Sequence, residues 1–310
     1  LVEQGLVVRT QSGFFTVETP QGPFVCQLRG KLKETYNETD LVAIGDRVTI
    51  ETQEDGTGTV MEVAERVRVL SRVATSSAVG TSAEREQIII ANPDQAIFVF
   101  AAANPDPHTR MLDRFLVAAE KAAIPEIRIC VNKTDLKELA HVQEVFSIYE
   151  KIGYPVLYVS AKTNENIETL RDILAGKVSV FTGPSGVGKT SLLNAIEPDL
   201  GRRVNAVSQA TTKGRHTTRY SELIPLSVGG YLADTPGIRT ISPWDVEPDE
   251  LDGYFIEIGP HVGNCKFQDC THTHEPGCGV QAALERGEIS EERFESYLRL
   301  REMLEQEYVY

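Results

Sequence analysis

Over the first seventy residues, short apolar runs alternate with turn residues. Residues 5–10, 13–19, 23–29, 46–52 and 58–67 read as five strands. Gln11-Ser12-Gly13, Pro20-Gln21-Gly22, Gly45-Asp46 and Glu54-Asp55-Gly56 mark the turns between them. Five short strands in this length predict a small β-barrel of OB type, a fold that often holds oligonucleotides. A structural β-module without nucleic acid is the alternative. The polar loop 31–40 is where nucleic-acid contacts are expected.

From about Gln95 the pattern changes to strands alternating with helices. Residues 96–101, 127–131, 156–160, 178–182, 219–226 and 231–234 are strand candidates, and 110–123, 138–152, 167–174 and 189–195 have helical patterns. That alternation predicts a doubly wound parallel sheet with helices on both faces. After Ser242 a Cys/His cluster sits between a short segment, 250–258, and a charged stretch, 281–308. There Leu284, Phe294, Tyr297, Leu298, Leu300 and Leu304 lie among alternating charges, as in solvated helices with one apolar side. The division expected is 1–72, 73–241 and 242–310: a barrel, an α/β domain and a mostly helical metal-binding domain.

Composition narrows the class. With 41% hydrophobic and 25% charged residues among 310, the chain can bury a core without covalent staples. No stretch approaches the roughly 18 apolar residues of a membrane span, and the start is not a signal peptide. A cytoplasmic, monomeric protein is expected, with no membrane or DNA partner. The chain begins with Leu1, which leaves room for missing native residues ahead of it. The net charge of −14 argues against a globally basic nucleic-acid binder but leaves room for a local basic surface. Three of the five cysteines fall between Cys265 and Cys278, which points to a metal site in a reducing compartment.

Gly183-Pro184-Ser185-Gly186-Val187-Gly188-Lys189-Thr190 fits G-x-x-x-x-G-K-[ST], with Ser191 next in the opening helix. Glycines let backbone N–H groups curl around phosphate oxygens, while Lys189 reaches the β- and γ-phosphates. The Thr190 hydroxyl can ligate Mg²⁺, and the helix opening at Lys189 points its positive end at the phosphates. A chance match in this length is on the order of one in a hundred. Asp234-Thr235-Pro236-Gly237 follows a strand, as an acidic switch on the Mg²⁺ side should. Alone, D-x-x-G is a chance-level pattern; its place after the glycine loop gives it weight.

Asn132-Lys133-Thr134-Asp135 ends another strand candidate. A carboxylate there can accept from both N1–H and N2–H₂ of guanine, a donor pair that adenine lacks, so Asp135 selects GTP over ATP. A helix N-cap at Asp135 is the plain alternative. Ser160-Ala161-Lys162 closes a further strand and could offer the Ala161 N–H to guanine O6. Four motifs at four strand ends of a parallel sheet converge where such folds bind ligands. Their order is unusual: Asn132 and Ser160 precede Gly183, whereas the glycine loop ordinarily comes first. Domain termini often lie close together, so a permuted order can keep the same site.

These residues, the N-terminal barrel and Gly214-Arg215-His216-Thr217-Thr218 together resemble the bacterial YjeQ/RsgA family, circularly permuted GTPases dependent on the small ribosomal subunit. The resemblance covers nearly the whole chain. It implies slow GTP hydrolysis to GDP and phosphate, stimulated by the 30S subunit during late maturation, with 16S rRNA as a partner. Where Ras-type enzymes carry a water-orienting Gln, this chain has Ile238, which can neither donate nor accept. His216 is the candidate to orient water, and Thr218, before Thr217, the candidate for Mg²⁺ and γ-phosphate contact. Arg202, Arg203, Lys213, Arg215 and Arg219 stand in a segment free of Asp and Glu, suited to rRNA phosphates; a flexible solvated loop is the alternative.

Cys265-x₄-Cys270-x-His272-x₅-Cys278 supplies three thiolates and an imidazole, a set that favours one structural Zn²⁺. His274 and His261 are rival ligands; the family pattern points to His272. Cys26 and Cys130 fall in strands and read as buried thiols. Two rival functions remain: a nucleotide-gated RNA-binding module with incidental hydrolysis, and a GTPase acting on a protein partner without RNA.

Overall fold

Every residue of the strand Gln95–Ala101 is buried, because its alternate side chains serve two different cores. The computed structural model describes residues 1–30, 41–74, 85–202, 220–234 and 246–308. The loop 31–40, residues 203–219 with His216, Thr217 and Thr218, and residues 235–245 with Gly237 and Ile238 lie outside the described residues.

The barrel is built from β1 (Val2–Gln11), β2 (Phe14–Thr19), β3 (Gly22–Leu28), β4 (Arg47–Thr52) and β5 (Thr57–Val63). β1 pairs with β2, β2 with β3, β3 in parallel with β5, β5 with β4, and β4 with β1, closing the ring. Val7, Val17, Cys26, Ile50 and Val60 fill it, each fully buried. Closure leaves no unpaired edge within the ring.

A hairpin of β6 (Val69–Ala74) and β7 (Arg85–Ala91) follows; the sequence reading did not include it. Then come β8 (Gln95–Ala101), α1 (Thr109–Lys121), β9 (Glu126–Asn132), α2 (Leu139–Ile152), β10 (Val156–Tyr158), α3 (Ile167–Leu174), β11 (Val178–Thr182), α4 (Lys189–Ile196), β12 (Tyr220–Pro225) and β13 (Tyr231–Asp234). The order across the sheet is β10-β9-β8-β11-β13-β12. Ala96, Phe98 and Phe100 pack with Leu112, Phe115 and Leu116 of α1 and Phe146 of α2. Ile97, Val99 and Ala101 pack on the other face with Leu170 of α3 and Leu192, Leu193 and Ile196 of α4. Each fully buried Val, Ile, Leu or Phe among them contributes about 1.5–3 kcal/mol.

Three expectations about the strands need correction. The sheet is parallel from β10 to β13, but β12 runs antiparallel to β13. β12 also pairs antiparallel with β1, Gln11 opposite Tyr220 and Arg9 opposite Glu222, so barrel and α/β sheet are continuous. Strand β5 stops at Val63 rather than 67, and β10 stops at Tyr158, leaving Ser160 as a single bridge to Glu165.

The C-terminal segment carries a helical turn, Leu251–Tyr254, then α5 (Gly259–Val262), α6 (Gly279–Glu285) and α7 (Glu291–Tyr308). Its core joins Leu251, Phe255, Ile258, Phe294, Tyr297, Leu300 and Leu304 to Val117 of α1. The apolar side expected of the last helix is present, but its charged residues are not all solvated: Arg293 and Arg301 are buried too.

Candidate nucleotide site and metal cluster

The loops after β9 and β11 hold one another by direct hydrogen bonds. Asn132 Nδ2 donates to the Val187 carbonyl (2.9 Å), and Lys133 Nζ donates to the carbonyls of Gly186 (2.7 Å) and Asn104. The glycine loop and the N-K-x-D loop therefore form one unit, although 55 residues separate Asn132 from Val187. Asn132 is 1% exposed, so its amide is committed to this bridge. Its Oδ1 accepts from the Ala161 N–H at 3.2 Å. The amide assigned above to guanine O6 thus faces Asn132, which links the third loop to the other two.

Asp135 is not a helix cap. It lies in a single turn, Thr134–Leu136, and the N-cap of α2 is Glu138. Its Oδ1 accepts from Ser160 Oγ (2.8 Å) and its Oδ2 stands 3.4 Å from Lys162 Nζ. The Ser160 hydroxyl, and after it Lys162, hold the carboxyl below the usual carboxylate range. Thr134 is buried and donates to the Val159 carbonyl, which anchors the turn at the end of the sheet.

Lys189, the first residue of α4, donates to the carbonyls of Gly183 and Pro184, both at 2.6 Å. Ser185 lies between them and Gly186, and Thr190 and Ser191 continue the helix. Asp234 ends β13, next to β11 in the sheet and so on the same edge as the glycine loop. Sequence motifs missed two participants, the Asn104 carbonyl and Glu165, whose carboxylate accepts from Thr134 Oγ1 at 3.1 Å. Neither stands at a motif spacing, so no sequence signal marked them.

Gly188 is required twice over. Its φ of +93° is left-handed, and a Cβ there would lie 2.4 Å from Asn132 Nδ2. Gly188→Ala is expected to break the Asn132 bridge and lower guanine-nucleotide affinity by more than about tenfold. Titration with a fluorescent GDP analogue measures this; unchanged affinity would refute the bridging role.

The ligand atoms of Cys265, Cys270, His272 and Cys278 lie within 4.8 Å of one another. Cys265 and Cys278 Sγ are 3.9 Å apart, and His272 Nδ1 is 3.6 Å from the first and 3.3 Å from the second. A tetrahedral centre with metal–sulfur bonds of about 2.3 Å has sulfur–sulfur edges of about 3.8 Å, so the donors fit a four-coordinate ion. All described cysteines are free, and 3.9 Å is far beyond a disulfide bond. Burial pushes the Cys270 thiol up to about 12. A cation among the sulfurs would reverse that penalty. His261 and His274 fall outside the cluster. Cys26 and Cys130 are buried as expected, their thiols raised by desolvation to about 11 and about 12.

Comparison with known proteins agrees with this architecture. The family model described as RsgA GTPase matches residues 63–244, and that described as RsgA N-terminal domain matches residues 4–60. A relative from Gemmatimonas aurantiaca, named small ribosomal subunit biogenesis GTPase RsgA, is 44% identical over 303 residues, 97% of each chain. One of the same name from Bacteroides fragilis is 37% identical over 96% of each. The crystal structure of YjeQ from Thermotoga maritima superposes with a TM-score of 0.79 at 38% identity, covering 98% of this chain and 99% of that one. YloQ, described as a circularly permuted GTPase, gives a TM-score of 0.76 at 30% identity over 99% and 96%. With its permuted loops joined at one edge of the sheet and nearly its whole length matched, the chain belongs to the RsgA GTPase family.

Proposed function

We propose that this chain hydrolyses GTP to GDP and phosphate on the small ribosomal subunit, late in that particle's maturation. The observation that carries the reading is the pair of bonds from Asn132 and Lys133 to Val187 and Gly186, which ties a base-reading loop to a phosphate-cradling loop. Asp135 reads guanine, with Ser160, Ala161 and Lys162 supporting that end. Gly183 through Ser191 hold the phosphates, and Lys189 exchanges its two backbone carbonyls for the β- and γ-phosphates. Thr190 and Thr218 would hold Mg²⁺, which would neutralise charge developing on the phosphates; Asp234 and Gly237 form the switch that senses the γ-phosphate. The names of the full-length relatives support the small subunit as partner.

Residues 1–72, 73–241 and 242–310 act as barrel, GTPase and metal-binding domains, with the first and last facing 16S rRNA. The cluster of Cys265, Cys270, His272 and Cys278 takes one structural Zn²⁺: its soft donor set and four closed positions suit that ion. Because β1 pairs with β12, a change of nucleotide beside β12 and β13 would move the barrel directly.

Turnover measured with no partner, with 30S subunits and with 50S subunits tests the reading. Strong stimulation by 30S alone is expected; none by either particle would favour a nucleotide-gated binding module instead. With Ile238 where Ras-type enzymes carry a water-orienting side chain, His216 takes that role on the subunit. His216→Ala should lower the stimulated rate by about 10²-fold with GDP affinity unchanged. An unchanged stimulated rate rejects the assignment.

A further inference from the structure

His272 has no exposed surface, and its two ring nitrogens face opposite groups. Nδ1 points at the sulfurs of Cys265 and Cys278, at 3.6 and 3.3 Å, while Nε2 lies 3.1 Å from Asp252 Oδ2. A carboxylate can only accept, so Nε2 carries the proton and Nδ1 presents its lone pair to the sulfur cage. The backbone supports that pose. His272 has a left-handed φ of +64°, and its carbonyl accepts from Gln281 Nε2 at 3.0 Å.

Asp252 lies 20 residues from His272, in the turn Leu251–Tyr254, and that turn is seated on α1 of the GTPase domain. Glu250 accepts from Lys121 Nζ at 2.6 Å, and the same ammonium stands 5.4 Å from the Tyr254 ring centroid. Leu251, wholly buried, shares an apolar cluster with Val117 of α1. The segment thus touches the metal cluster through Asp252 and α1 through the residues on either side.

We infer that Asp252 is the positioning residue of the metal centre, fixing His272 for ligation through Nδ1 and coupling metal occupancy to the seating of the C-terminal domain on α1. The inference rests on the zinc reading above. Without metal, His272 loses the bonds on its Nδ1 side, and the grip of Asp252 on the imidazole no longer holds the turn in place. With metal, the carboxylate–imidazole contact fixes tautomer and ring angle together, as partners of metal-bound imidazoles do.

Three measurements on the full chain test it. Zinc content comes first: a chain purified without bound zinc, and taking none from a zinc-buffered solution, sinks the zinc reading itself. If zinc is bound, long-range ¹⁵N–¹H spectra of histidine-labelled wild type should show His272 metal-bound at Nδ1 and protonated at Nε2; metal at Nε2 overturns the inference. Competition against a chromophoric chelator should then show Asp252→Ala losing about 10- to 100-fold in zinc affinity. Asp252→Asn, which can still accept from Nε2–H, should recover most of it.

Hydrogen exchange of the peptide covering α1 reads the coupling. Chelation should speed exchange there in wild type, and Asp252→Ala should speed it even with zinc saturating. Unchanged zinc affinity in Asp252→Ala, or exchange in α1 indifferent to zinc, overturns the proposal. Should that variant fail to fold, the wild-type spectra and exchange data still decide.

Discussion

Asp135→Asn should lose about 10⁴-fold in affinity for GTP and gain binding of xanthosine triphosphate. Guanine presents two donors, N1–H and N2–H₂, and the Asp135 carboxylate can accept both. An asparagine keeps one acceptor and puts an NH₂ where the second stood. The geometry around Asp135 says which is which: Ser160 Oγ donates to Oδ1, so the amide oxygen of the variant stays on the Ser160 side. Its NH₂ then stands where Oδ2 stood, so one of guanine's two donors meets a donor in place of an acceptor. Xanthine carries a carbonyl in place of the guanine N2–H₂ and accepts the same NH₂. Displacement of a fluorescent GDP analogue by GTP and by xanthosine triphosphate measures both arms; GTP affinity within tenfold of wild type would remove Asp135 from the base site. The depressed carboxyl of the wild type sets the pH sign as well. Its affinity for GDP should hold steady through the neutral and mildly acidic range. It should fall only as pH drops through the lowered value, when the carboxylate takes up a proton.

Arg293→Met should destabilise the chain by about 3–5 kcal/mol, the largest effect expected of any change away from the nucleotide loops. Arg293 is 1% exposed and bridges Glu257, at 2.5 and 3.2 Å, and Asp113 of α1, at 2.6 Å. Tyr149 donates to the same Asp113 at 2.8 Å, and the Phe255 ring lies 4.5 Å from the guanidinium carbon. Burial alone would pull the guanidinium down, but Asp113 and Glu257 more than offset it and hold the charge in place. Methionine fills the volume but strands two buried carboxylates without a cation. The loss should therefore be largely reversed by adding Asp113→Asn and Glu257→Gln, because replacing all the charges removes the desolvation penalty together with the attraction. Calorimetry on single and combined variants measures this. A single variant melting with wild type would show that the network adds nothing to the union of the two domains.

The Arg293 network also shows where sequence reading stops. On α7 the alternating charges looked like a solvated face, since spacing identifies which side of a helix is apolar but not what the other side meets. Arg293 is buried because Asp113 approaches from 180 residues away in the chain. The β6–β7 hairpin escaped for a related reason: its strands are separated by ten residues rather than by a two-residue turn, and Ser71 and Arg72 interrupt the apolar run. β8, by contrast, was legible as an unbroken apolar run because both its faces are covered.

The chemistry of this protein is written locally. The glycine loop from Gly183, the tetrapeptide from Asn132, and the spacing of Cys265, Cys270, His272 and Cys278 each need only a short stretch of backbone to place their groups, so sequence alone determined which groups there are and in what permuted order. Tertiary packing decided how those groups meet. It set Asn132 against Val187, turned Ala161 toward Asn132, ran β12 antiparallel against the barrel, and brought Asp252 to His272. Strand direction and cross-chain hydrogen bonds depend on elements tens of residues apart, whose approach is fixed by the shape of the shared core and leaves no periodic mark on the chain.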